Sequence, residues 1–109
     1  MEFTMYHVTP VSRLRSILRK GLVPAMESRG IYADSSEKRS YLFEDPDTAE
    51  DGLVNWMWER SPRVRTWAIL EVQLPNSIEP HDDPEVAGSW YVRKTIPPDR
   101  ISVLKKIEV

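Results

Sequence analysis

The chain has 109 residues, enough for one domain around one core, and its 40% hydrophobic and 29% charged content is that of an ordinary globular protein. A net charge of −2 argues against a tight binder of nucleic-acid backbone, without excluding a nucleic acid as a transient substrate. The absence of cysteine excludes disulfides, thiol catalysis and cysteine-ligated zinc, and no apolar run or leader-like start suggests a membrane or export, so a cytoplasmic protein is expected.

Phe3, Met5 and His7 fall on one face of a first strand, predicted at 3–8. Thr9 suits a helix N-cap and Pro10 the first helical position, where no amide hydrogen is needed. Val11, Leu14, Ile17 and Leu18 then recur at helical spacing, which predicts a helix over 11–20. Gly21 fits the position after that helix and Pro24 prevents a restart. A histidine at a strand end beside a helix start suggests a polar pocket with an anion site. The plain alternative is a structural histidine.

Residues 25–39 are polar and aperiodic and read as a loop, with a brief strand at Ile31, Tyr32 and Ala33. A loop of that length is either a binding loop or a mobile connection. Ser40, Tyr41, Leu42 and Phe43 form a short buried strand. Asp45 is the expected N-cap of a second helix, 46–60, with Pro46 at its first position and Asp47, Glu50 and Asp51 near its positive end. Ala49, Leu53, Trp56 and Met57 make its buried stripe, and Gly52 inside it is unfavourable by about 1 kcal/mol relative to alanine. The strongest strand is 64–74, apolar on both faces over half its length and so central in a sheet. His81, Asp82, Asp83 and Glu85 superficially resemble metal ligands, but their spacing fits no rigid element and reads as a solvated turn, so no metal is expected. Strands at 89–95 and 101–108 flank a turn at Pro97 and Pro98. The order predicts a single α+β domain over 1–109, with a mainly antiparallel split sheet and two principal helices.

In order and punctuation the chain resembles small bacterial and phage domains of the ADP-ribosyltransferase-like fold. The matching pieces are Tyr6-His7-Val8-Thr9, Leu14 through Ile17 and Leu18 to Gly21-Leu22-Val23-Pro24, Tyr41-Leu42-Phe43 before Asp45-Pro46 and Ala49, Ala68-Ile69-Leu70-Glu71-Val72, and Ser89-Trp90-Tyr91-Val92 before Ile96-Pro97-Pro98-Asp99-Arg100-Ile101. They span nearly the whole chain.

The resemblance implies NAD as substrate or ligand, held by a three-part site. His7 would hold ribose hydroxyls, with Val8 and Thr9 beside it. Tyr41 would stack on the nicotinamide ring. The family's acidic residue, which steadies positive charge on the sugar as the nicotinamide bond breaks, corresponds here to Ser89. Catalytic roles thus fall on His7, Tyr41 and Ser89, and NAD contacts on His7, Val8, Thr9, Arg13 and Tyr41. Arg13, Arg15, Arg29 and Arg39 are the candidates for the pyrophosphate. Val8 stands where the family often has glycine, which would narrow the pocket. Serine in place of the acid leaves two other readings beside transfer of ADP-ribose to a protein or nucleic acid: an inactive nucleotide- or protein-binding module of the same fold, and an RNA 2′-phosphotransferase-like enzyme using NAD.

Overall fold

The computed structural model describes residues 3–24, 38–84 and 88–109. Six strands form one antiparallel sheet: β1 (Phe3–Pro10), β2 (Ser40–Phe43), β3 (Thr66–Leu74), β4 (His81–Asp82), β5 (Ser89–Val92) and β6 (Ile101–Glu108). Their order across the sheet is β4-β5-β2-β1-β3-β6. The loop expected at 25–39, the brief strand at Ile31 to Ala33, and Glu85 lie outside the described residues, apart from 38 and 39.

The six strands belong to one sheet, which corrects the expected split. Its two halves nevertheless meet at a narrow junction. β1 pairs with β3 along its full length, from Phe3↔Leu74 to Pro10↔Trp67, whereas β1 and β2 are in register only at Tyr6↔Phe43. β1 also runs two residues further than expected. Thr9 pairs with Ala68 and Pro10 with Trp67, so Thr9 does not cap the helix. Val11–Arg13 form a 3-10 turn before α1 (Leu14–Lys20), and neither segment has a side-chain cap at its start. A full turn of 3-10 helix thus lies between the end of β1 and the start of α1.

The end of α1 follows its sequence closely. Gly21 has φ of 93° and its amide donates to the Ile17 carbonyl at 2.8 Å. Leu22 and Ile96 then exchange two main-chain hydrogen bonds, of 2.9 and 3.1 Å. A Cβ on Gly21 would collide with the Ile96 carbonyl oxygen, so glycine is required there both by its backbone angles and by this close approach.

The second helix occupies the expected 46–60 but changes pitch along its length. It comprises α2 (Pro46–Gly52), a π-helical turn (Leu53–Met57) and a last turn, α3 (Trp58–Arg60). Asp45 caps it as expected, accepting from the Thr48 amide at 2.7 Å and the Thr48 hydroxyl at 2.9 Å. These bonds favour the ionised form and hold the Asp45 carboxyl below its ordinary pKa. Gly52 is explained by packing: a Cβ there would come within 2.9 Å of Met57 Cε and 3.3 Å of Phe43 Cζ. The Trp56 side chain, expected in the same stripe, lies outside the described residues.

Strand alternation sends side chains to two cores. α1 covers the face that carries Met5, Leu42, Leu70, Val72 and Val92, with Ile96 and Ile101. The second helix covers Val8, Phe43, Trp67 and Ile69 through Ala49 and Leu53. β3 contributes to both, which is why its sequence is apolar on both sides. No helix among the described residues is long and apolar enough to cross a membrane.

Candidate functional site

His7 belongs to the α1 face by alternation with Met5, and its ring is half-buried. Its Nδ1 lies 2.6 Å from the main-chain oxygen of Tyr41. A carbonyl oxygen only accepts, so Nδ1 is the donor, and in the neutral ring Nε2 carries the lone pair. The histidine thus fixes its own tautomer by bridging β1 to β2 beside their narrow junction.

Next to it is a cavity of about 170 Å³. Its polar lining comprises His7, Thr9, Arg13, Ser16, Arg39 and Ser40, and its wall is completed by the Gly21–Val23 segment held to Ile96. Thr9 and Ser40 are buried at 1% and 4% exposure, so their polar groups sit in low dielectric rather than in bulk water. Among the described residues the lining contains two arginines, a histidine and three hydroxyls, and no carboxylate or aromatic ring of Tyr or Trp. The Arg13 guanidinium and the hydroxyls are of a kind that suits an anion, whereas the Arg39 guanidinium lies over the Tyr91 ring, its carbon 4.0 Å from the ring centroid.

The structure brings together only part of the expected site. His7, Thr9 and Arg13 share the cavity, with Arg39 from the pyrophosphate candidates. Arg15 is exposed on α1 and is not among the lining residues, and Arg29 lies outside the described residues. Tyr41 meets His7 through its carbonyl, while its ring points to the other face and packs edge-on against Tyr91, centroids 6.3 Å apart. Val8 also points to that other face, into the core with Phe43 and Leu53, so its side chain does not narrow the cavity as expected. Ser89 pairs with Phe43, is fully buried, and its Oγ has no hydrogen-bond partner among the described residues. Period-2 alternation from Leu42 and Val92 puts Tyr41 and Ser89 away from His7.

Two lining residues went unnoticed in the sequence. Ser40 is two positions from Leu42 and so shares its face, and Ser16 is one helical step of three from Arg13. Both were legible by spacing, but serines in such places are common and carry no signal alone. His81, read as part of a turn, belongs to the two-residue strand β4 and stacks on Tyr91 at 5.2 Å. Among the described residues no group of three or more His, Asp or Glu is placed to hold a metal.

Comparison with protein-family models, curated proteins and solved structures gives no match for this chain.

Proposed function

We propose that the domain binds a phosphorylated nucleotide, with NAD or its ADP-ribose part as the leading candidate, in the cavity between β1, α1 and β2. The observation that carries this is the convergence of His7 and Arg13 with three hydroxyls on one cavity. The resemblance to ADP-ribosyltransferase-like domains supplies the identity of the nucleotide, and a cytoplasmic setting belongs to the same proposal.

The cavity volume of about 170 Å³ is below the roughly 300–1,000 Å³ typical of pockets that enclose a drug-sized ligand. It therefore takes one part of the dinucleotide. Its cationic lining selects the ribose-phosphate part, and the nicotinamide extends outward. In this reading His7 orients a ribose hydroxyl or phosphate oxygen, and Arg13 offsets the phosphate charge. Cleavage of the nicotinamide bond needs a negative group beside the sugar. With Ser89 buried on the opposite face, the reading favours a binding module over an efficient ADP-ribosyltransferase. The second reading is the 2′-phosphotransferase-like one, favoured by an arginine and a histidine beside hydroxyls around a site suited to a phosphate group.

Calorimetry with NAD, ADP-ribose and nicotinamide tests the proposal. Affinity should follow the phosphates: NAD and ADP-ribose bind, nicotinamide does not, and Arg13→Ala weakens both. Binding of nicotinamide alone, or binding that ignores Arg13→Ala and His7→Ala together, contradicts it.

A further inference from the structure

We infer that the outward face of α1 docks on the outward face of the second helix of another copy of this chain, in a head-to-tail contact. On α1, Arg15 and Arg19 stand one helical turn apart and both are exposed. Leu18, three residues from Arg15, is exposed beside them. On the second helix, Asp47, Asp51, Val54 and Trp58 follow at steps of four, three and four, the spacing of one stripe, and all are exposed. That stripe lies opposite Ala49 and Leu53, which face the core. Each face thus offers a like-charged pair at the same spacing with apolar surface next to it, and the two pairs have opposite sign.

The chain itself leaves these charges unmatched. Among the described residues none of the four takes part in an ion pair, and Lys105 pairs with Glu50 instead. Asp99, exposed on the turn Pro98–Arg100 that packs against α1, makes no ion pair there either. Like charges four apart on one helix repel. Arg19 and Asp47 stand at helix ends whose dipole suits them. Arg15 is second in α1, at the end where a cation is disfavoured, and Asp51 lies past the first turn of α2. Trp58 adds an anchor. Its main-chain amide bonds to Leu53 across the π turn, and its indole N–H donates to the Val54 carbonyl at 2.8 Å, so the ring lies along the helix surface beside Val54. Tryptophan is enriched where proteins meet, and it dominates many such contacts.

Placement sets the symmetry of the contact. α1 covers one side of the sheet and the second helix the other, so both faces cannot lie in one two-fold contact. A two-fold pair through either face alone would put arginines on arginines or aspartates on aspartates. The complementary contact is therefore heterologous, α1 of one copy on the second helix of the next, and each added copy presents a further face of each sign. A nucleic acid or an anionic lipid would use the arginines but leave Asp47, Asp51 and Trp58 without a role, so a second copy is the occupant that uses both faces. A single helix pair buries less than the roughly 1,200–2,000 Å² of stable complexes. The association is accordingly weak and follows protein concentration and salt.

Sedimentation equilibrium of the whole chain tests this. At low salt the mean mass should rise with concentration, up to about millimolar protein, and pass that of a pair. It should return to the monomer in about 1 M salt, where the charges are screened. Two double variants, Arg15→Ala with Arg19→Ala and Asp47→Ala with Asp51→Ala, keep good helix formers at exposed positions and should fold. Each alone should self-associate roughly tenfold more weakly or less. Mixed in equal amounts at low salt, they should form a pair and stop there, because each supplies the face that the other lacks. Trp58→Ser should weaken the association and leave its salt dependence in place. A wild-type chain that stays monomeric, association that ignores salt or either double variant, or a mixture that associates no better than its parts, overturns the inference.

Discussion

His7 donates from Nδ1 to the Tyr41 carbonyl across 2.6 Å, and so joins β1 to β2 where the two strands are in register only at Tyr6↔Phe43. One side chain therefore both strengthens the junction between the two halves of the sheet and orients the ring at the cavity. A buried carbonyl that loses its donor is costly, whereas a side-chain amide can replace the imidazole N–H.

Replacing His7 separates these two roles. His7→Ala should lower stability by about 0.5–1.5 kcal/mol, the net worth of one such hydrogen bond. His7→Asn, whose amide can reach the same carbonyl, should recover part of that loss in urea denaturation while leaving nucleotide binding impaired. Equal stability of the two variants would show that the bond does not support the junction.

Gly21→Ala should be among the most damaging small substitutions. Positive φ and the Ile96 carbonyl both oppose a side chain, and strain of that kind is worth about 1–3 kcal/mol before the close contact is counted. Because Gly21 and Leu22 form part of the cavity wall, nucleotide affinity should fall as well. Gly52→Ala is the contrast. The nearest atom there is the flexible end of Met57, and the gain in helix propensity, about 1 kcal/mol, offsets part of the cost. Thermal unfolding of both variants is the check, with Gly21→Ala expected to melt at clearly lower temperature.

Ser89→Ala should be neutral or stabilising, since it removes a buried hydroxyl that has no partner among the described residues. Ser89→Glu should be strongly destabilising, because it buries a carboxylate in a position with no exposure. A stable Ser89→Glu protein with raised nicotinamide release would instead put that position at the reacting sugar.

The Asp45 cap gives a pH signature. Its carboxyl is held below the ordinary value of 3.8 by the Thr48 amide first and the Thr48 hydroxyl second. A depressed acid contributes stability that is present in full above the unfolded pKa and is lost as pH falls through the folded value. Asp45→Ala should therefore lower the melting temperature at neutral pH, and the gap from wild type should narrow below about pH 4. A gap that does not change between pH 7 and pH 3 would mean that the ionised cap is not responsible.

Much of the fold was legible because its signals are local. The strands at 40–43 and 101–108 and the helix over 46–60 fall where the spacing predicts. Asp45 and Gly21 announced the ends of helices because capping chemistry uses few residue types. Thr9 and Pro10 misled for the same reason: they read as a helix start, but pairing with Ala68 and Trp67 keeps them in the strand. The π turn at Leu53–Met57 had no local signal either, and arises where Gly52 is packed against Phe43. In the candidate site, His7 was visible and its partners were not. The cavity is closed by Ser16 and Ser40, ordinary residues that become a site only when strands 33 positions apart in sequence are placed side by side. Tyr41 stood out by its chemistry, yet one step of strand alternation sends its ring to the far face.

The central claim is that a phosphorylated nucleotide occupies the His7 cavity, and a titration of isotope-labelled protein with ADP-ribose, followed by amide chemical shifts, tests it most directly. The account predicts saturable shifts centred on Thr9, Arg13, Ser16, Leu22, Val23 and Ser40, abolished by His7→Ala with Arg13→Ala. Saturable shifts centred elsewhere, or none at millimolar ligand, would contradict it.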